Sequence, residues 1–302
     1  MQKFPVIRTL CACAAGLLVA GALSAQEIPA SPRMQRALDS VARELRLDRL
    51  VADGKISVAL IDVTDRDNPR YAGLNDREMI YAASLPKIAV LLAGFEKVER
   101  GELPYTAELR QTFTDMIRRS SNQAASAAIQ AVGFGFIRDT LTDPRYRLYD
   151  PDENGGLWVG KAYGGPNDRW RRDPLHNLSH GANAYQAARF FYLLDRGELV
   201  SEAAGARMKE ILSKPAIQHK FVKGLANTPG RRIYRKSGTW RNWHADAALI
   251  EAGDKRYVAA ALVESPRGGD ILVRLIGKLD TIVCGEQPVR VARALEPTEG
   301  SE

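Results

Sequence analysis

Cysteine is nearly absent from this chain: three in 302 residues, at Cys11, Cys13 and Cys284. The first two lie in an apolar leader, so a processed chain keeps Cys284 alone, which excludes an internal disulfide and a cysteine-built metal site. Histidine is scarce too, with four residues. Long apolar runs are missing. Leu10 to Leu23 falls short of the roughly 20 residues a membrane span needs, and no later stretch is long enough. The formal net charge of +7 is not gathered into a basic tail or an aromatic-laced stripe, which argues against nucleic acid as a partner. No internal repeat and no low-complexity tract is found.

What is present begins with export. Lys3 and Arg8 precede the apolar run, and the small residues Ser24 and Ala25 follow it, the pattern of a secretory signal over residues 1–25 cut near Ala25. The mature protein is expected in the periplasm or outside the cell, as a monomer. The apolar segment ahead of Cys13 is short for a lipoprotein signal. Loss of Lys3 and Arg8 lowers the formal charge from +7 to +5. Such a field suits an anionic small substrate or the anionic cell envelope, or serves solubility alone.

Apolar positions Met34, Leu38, Val41, Leu45 and Leu50 predict a first helix over 33–52. Alternation predicts a strand over 56–63 and a second over 70–74. From Ser84 to Leu212 the patterns are helical, over 84–99, 106–118, 121–131, 183–195 and 201–212. The stretch 142–178, rich in Gly, Pro, Asp and aromatics, has no period and reads as a long functional loop forming a wall of the site. Strand patterns return at 232–236, 245–251 and 257–263, before a last helix over 271–283. Strands at both ends of the chain, with helices between, predict an α/β fold: one antiparallel sheet flanked by terminal helices, with an inserted all-helical lobe. The expected division is an α/β lobe over 31–78 and 228–298 and a helical lobe over 79–227, in one catalytic domain over 26–302.

Three short motifs carry the chemistry. Ser84-Leu85-Pro86-Lys87 opens an all-apolar helix, so a hydroxyl and an amine three residues apart share a face near its positive end. A serine becomes a nucleophile when a neighbouring base takes its proton, and a lysine is such a base once burial or a second cation lowers its pKa. Ser120-Ser121-Asn122 sits at a helix junction, where Ser120 is placed to relay a proton and Asn122 to hold a substrate carbonyl. Lys236-Ser237-Gly238-Thr239 closes a strand. There Gly238 permits close backbone approach, the Thr239 N–H faces a developing oxyanion, and Lys236 with Ser237 receives a carboxylate. Each motif alone also fits plain helix capping or a turn. An S-x-x-K tetrapeptide arises about once by chance in a chain this long.

Together, and in this order, the motifs resemble those of the penicillin-recognising serine enzymes, the superfamily of class A β-lactamases and D,D-peptidases. The run Ser121-Asn122-Gln123-Ala124-Ala125 with Gly133 and Ile137, and Ala187-Ala188-Arg189-Phe190-Phe191 followed by Gly197-Glu198-Leu199, resemble helices of class A enzymes. The resemblance implies Ser84 as nucleophile, Lys87 as its base or base partner, Ser120 as proton relay and Asn122 as substrate-amide holder. It further implies Lys236 and Ser237 as carboxylate binders, with the N–H groups of Ser84 and Thr239 as oxyanion hole. The implied reaction opens a β-lactam amide through an acyl-enzyme and then hydrolyses it, without a required cofactor.

The chain departs from that pattern in the deacylating group. Class A enzymes hold the water with a glutamate in an E-x-x-L-N loop, which is missing. Among Asp150, Asp152, Glu153, Asp168 and Asp173, Glu153 is the expected substitute. The interval of 36 residues from Ser84 to Ser120 is also short. The alternatives are a D,D-carboxypeptidase acting on peptidoglycan stem peptides, or a noncatalytic cell-wall or β-lactam sensor. His176 and His180, four apart, form a minor Zn²⁺ candidate, and His244 follows the Lys236 motif closely enough to approach the same cleft.

Overall fold

The computed structural model describes residues 27–164 and 170–285; the expected signal segment and Asp168 lie outside the described residues. Helix α1 (Pro32–Glu44) starts at Ser31, whose hydroxyl accepts from the Met34 N–H at 3.3 Å, and buries Met34, Leu38, Val41 and Ala42. The helix expected over 33–52 is broken. Leu45 and Leu47 are both buried, Arg46 adopts φ +57°, and a short α2 (Asp48–Ala52) follows. Residues two apart cannot share a helix face, so burying both leucines ends α1.

Strand β1 (Ile56–Asp62) is buried at every position, because it lies inside a sheet covered on both faces. With β2 (Arg70–Leu74), β8 (Arg231–Trp240), β9 (Trp243–Ala252) and β10 (Lys255–Glu264) it forms a five-stranded antiparallel sheet in the order β2-β1-β10-β9-β8. One face packs Leu38, Leu60, Leu272 and Leu279, using α1 and the last helix α10 (Gly268–Cys284). The other face packs Ala59, Ile61 and Ala260 against Phe190 and Phe191 of α7 (Ala184–Arg196). Asn183 caps α7 by accepting from the Gln186 N–H at 2.8 Å, and the Ser57 hydroxyl accepts from the Ala184 N–H at 3.0 Å, tying the helix to the sheet.

Between these sheet segments the chain is mainly helical. A two-residue β3 (Ile80–Tyr81) leads into α3 (Lys87–Glu99), whose first ten residues are all buried. Around it lie α4 (Ala107–Arg118), α5 (Asn122–Val132), α6 (Phe134–Thr142) and α8 (Glu202–Leu212). Helix α6 lies between the helix expected over 121–131 and the aperiodic stretch that starts at 142, with Gly133 at its N-cap and Gly135 inside it blurring the pattern. The aperiodic stretch holds two-residue strands β4 (Tyr149–Asp150), β5 (Gly155–Gly156) and β6 (Trp158–Val159). β6 pairs with β7 (His180–Ala182), which also pairs with β3, so this stretch is laced to the Ser84 turn. A short α9 (Phe221–Gly224) precedes β8. Among the described residues no helix is long and apolar enough to cross a membrane.

Candidate active site

Ser84 stands one turn ahead of α3, not inside it. The Leu85 N–H donates to Ala82 O at 3.0 Å, and the Lys87 N–H to Ser84 O at 3.3 Å, a tight 3₁₀-like approach with Pro86 as the cap residue. Ala83 is held at φ +49°, a conformation disfavoured for a residue with a Cβ. The turn is kept in place by what packs on it. A Cβ added to Gly238 would lie 2.0 Å from Ala82 O and 2.9 Å from the backbone N of Ser84 and of Leu85. Strand β8 therefore runs hard against the Ser84 turn. It is also the edge strand of the sheet. The strand does not close at Lys236: pairing of Ser237 with Asp246, Gly238 with Ala245 and Thr239 with His244 carries it through the whole motif.

The two motif lysines converge on Ser120. Lys87 Nζ donates to Ser120 O at 2.7 Å, Ser121 O at 3.3 Å and Asn122 Oδ1 at 2.9 Å. Lys236 Nζ donates to Ser120 Oγ at 2.9 Å and Ser237 O at 2.7 Å. Ser120 can serve both because it occupies the junction of α4 and α5 at φ +56°, while Ser121 takes the capping role, accepting from the Ala124 N–H at 3.1 Å. Lys87 is fully buried and Lys236 is 2% exposed, and every acceptor they meet is neutral. Burial lowers the pKa of Lys87 to about 7. Lys236 is held well below the usual lysine range, by burial first and then by the charges of Lys87 and Arg235.

A pocket of about 670 Å³ opens beside Ser84. Its lining includes Asn122, Tyr163, His180, Thr239, Trp240 and Trp243. Tyr163 stacks on His180 with centroids 4.1 Å apart, and Lys87 Nζ lies 4.5 Å from the Tyr163 ring centre. His180 Nε2 meets Lys161 O at 3.0 Å, and burial first, with the nearby lysines, lowers the His180 pKa to about 4.

Lys220, which sequence reasoning missed, supports the motif strand from behind. It is 3% exposed, and its ammonium donates to Gly238 O, to Thr239 Oγ1 at 2.7 Å and to Ala245 O at 3.1 Å. Burial lowers its pKa to about 8, against the opposing pull of Asp246. Asp246 also accepts from the Phe221 N–H at 3.1 Å and forms a buried two-pronged pair with Arg235 at 2.7 and 2.8 Å. No local pattern marks Lys220, since its partners lie 18 to 25 residues away.

Glu153 does not join this group. It pairs with Arg77 and lines a separate pocket with Arg147, Asp150 and Arg189. The substitution expected from sequence fails because the 3₁₀ turn Pro151–Glu153 between β4 and β5 turns the side chain to Arg77. Asp150 is paired with Arg147, and Asp173 accepts from the Tyr149 hydroxyl and the His176 N–H. No aspartate or glutamate is among the described residues lining the Ser84 pocket. The histidine pair also separates. His176 Nε2 meets Asn154 Oδ1 at 2.9 Å while His180 turns to Lys161 O, because the segment is loop and strand, not helix. Among the described residues no group of three His, Cys, Asp or Glu side chains could hold a metal ion. His244 packs under Gly268 of α10, outside the described pocket lining.

Fold and site define the β-lactamase/transpeptidase-like class of α/β protein. The Beta-lactamase enzyme family matches residues 104–285, and the chain belongs to that family. Among solved structures, PBP-A is 16% identical with a TM-score of 0.62, covering 84% of this chain and 97% of its own; a PBP-A mutant is described as an acyl-enzyme complex with penicillin G. A β-lactamase from Sphaerobacter thermophilus DSM 20745 is 16% identical, with a TM-score of 0.64 over 82% of this chain and 95% of that one. The TLA-3 extended-spectrum β-lactamase is 11% identical, with a TM-score of 0.62 over 81% and 97%. A search of curated proteins finds no match.

Proposed function

We propose that this protein is an exported serine hydrolase that opens the amide of a β-lactam through an acyl-enzyme on Ser84 and then hydrolyses the ester. The observation that supports it is the convergence of Lys87 and Lys236 on Ser120 beside the Ser84 turn, with Gly238 pressed against that turn. In this reading neutral Lys87 takes the Ser84 proton as Oγ attacks the lactam carbonyl carbon. The N–H groups of Ser84 and Thr239 receive the oxyanion, a type of contact worth about 3 kcal/mol of barrier per donor. Ser120 Oγ passes its proton to the leaving nitrogen and is resupplied, by way of Lys236, with the proton that Lys87 took from Ser84. The carbon–nitrogen bond breaks, leaving an ester and an amine. Lys236, Ser237 and Thr239 bind the substrate carboxylate, and Asn122 the side-chain amide.

A second reading, a D,D-carboxypeptidase acting on peptidoglycan stem peptides, is favoured by the pocket wall. Lys161, Tyr163 and His180 line it without a carboxylate among the described residues, so the second step lacks an evident base. The experiment is incubation of the mature protein and Ser84→Ala with a chromogenic cephalosporin, a carbapenem and a fluorescent penicillin, read by rate and intact mass. Turnover dependent on Ser84 supports the lactamase. A lasting adduct with little turnover supports the peptidase, and neither adduct nor turnover refutes both.

A further inference from the structure

The Ser84 pocket is one-sided in charge. Lys161 and Arg172 line it, with no described aspartate or glutamate among the lining residues. The five undescribed residues 165–169 carry one acid and one base, Asp168 and Arg169. Lys161 is fixed through its carbonyl, held by His180 Nε2 at 3.0 Å, and the residue lines the pocket. Arg172 is half-anchored: Nη1 donates to Asn177 O at 2.8 Å. These two cations belong to the 157–180 wall, whereas the carboxylate-binding motif lies on β8. The pocket also carries aromatic surface, with Tyr81 set edge-on to Trp243 at 5.6 Å and Tyr163 stacked on His180. At about 670 Å³ the pocket has room for a ligand of ordinary drug size.

We propose that Lys161 and Arg172 determine specificity for acyl donors bearing a second anionic group on the acyl side of the amide that is broken. The inference rests on the Ser84 acyl-enzyme reading given above. The preferred substrate is a dianion: one carboxylate, on the leaving-group side, meets Lys236, Ser237 and Thr239, and the other meets Lys161 and Arg172 across an aromatic middle. A pocket whose described walls offer only cations gains attraction with each added negative charge, and the gain is screened by salt where the cations are exposed.

The test compares acylation of Ser84 by carboxybenzylpenicillin and by benzylpenicillin, which differ in one side-chain carboxylate, using intact mass against time. The dianion is expected to acylate about fivefold faster at low ionic strength, with the advantage shrinking as salt is raised. In Lys161→Met/Arg172→Met the ratio falls to about one, and in Lys161→Arg it is retained; thermal unfolding checks that each variant is folded. Equal rates in the unaltered protein, or an unchanged ratio in the double variant, overturn this inference and leave acylation by Ser84 standing. Absence of an adduct with either penicillin overturns the underlying reading and the inference together.

Discussion

Replacing Gly238 with alanine tests the most exacting contact in the site. The new Cβ would lie 2.0 Å from Ala82 O, and real Cβ atoms essentially never approach within 3.0 Å of a neighbour, so strand and turn must separate by about 1 Å. The obstructing atoms are backbone on both sides, including the Ser84 and Leu85 nitrogens at 2.9 Å, and no side chain can swing away. Overpacking of this kind costs about 1–3 kcal/mol, and a 1 Å misplacement of reacting groups costs about 100-fold in rate. The expected result is a fall of about 100-fold in the acylation rate constant, followed by stopped-flow with a chromogenic cephalosporin, and a drop of several degrees in Tm. Gly135→Ala is the control: nothing lies within 4 Å of its added Cβ inside α6, so Tm should hold or rise slightly. An unaltered acylation rate in Gly238→Ala would refute the claim that β8 is pressed against the turn.

Four further outcomes follow from the same geometry. Acylation requires neutral Lys87, whose pKa is lowered to about 7 by burial; the rate should therefore climb through about pH 7 and level off above it, and a flat profile from pH 5.5 to 9 would remove Lys87 as the base. The same shift makes the unfolded chain bind more protons than the folded one above about pH 7, so the Lys87 contribution to stability increases with pH from there toward the ordinary lysine range, measurable by urea unfolding. Asp246→Ala strands buried Arg235 and frees the Phe221 N–H, and should cost about 3–5 kcal/mol in urea unfolding. Glu153→Gln breaks a partly exposed pair with Arg77; acylation and deacylation should stay within about twofold and stability within about 1 kcal/mol, whereas a selective loss of deacylation would return Glu153 to the site.

The sheet and helix order was legible because its signals are local. The seven residues of β1 alternate toward two separate cores, and α3 is apolar on all sides because it sits inside the helical region. The broken first helix and the hidden α6 were not legible, since each depends on which face the neighbouring elements cover. The site divides in the same way. Ser84 and Lys87 can be paired from a spacing of three, but the Lys236 to Ser120 bond spans 116 residues. Lys220 carried no signal and Glu153 was the expected deacylating group, yet the first ends 3% exposed behind the motif strand and the second in an ion pair with Arg77.

The sequence by itself determined the reactive groups and their order along the chain, because a hydroxyl, an amine and a glycine are properties of single residues. Only the tertiary structure decided that two lysines share one serine, that both are stripped of water, and that no described carboxylate lines the pocket beside Ser84. Ionisation and pairing depend on what packs around a group, and the packing here is supplied by segments far apart in the chain.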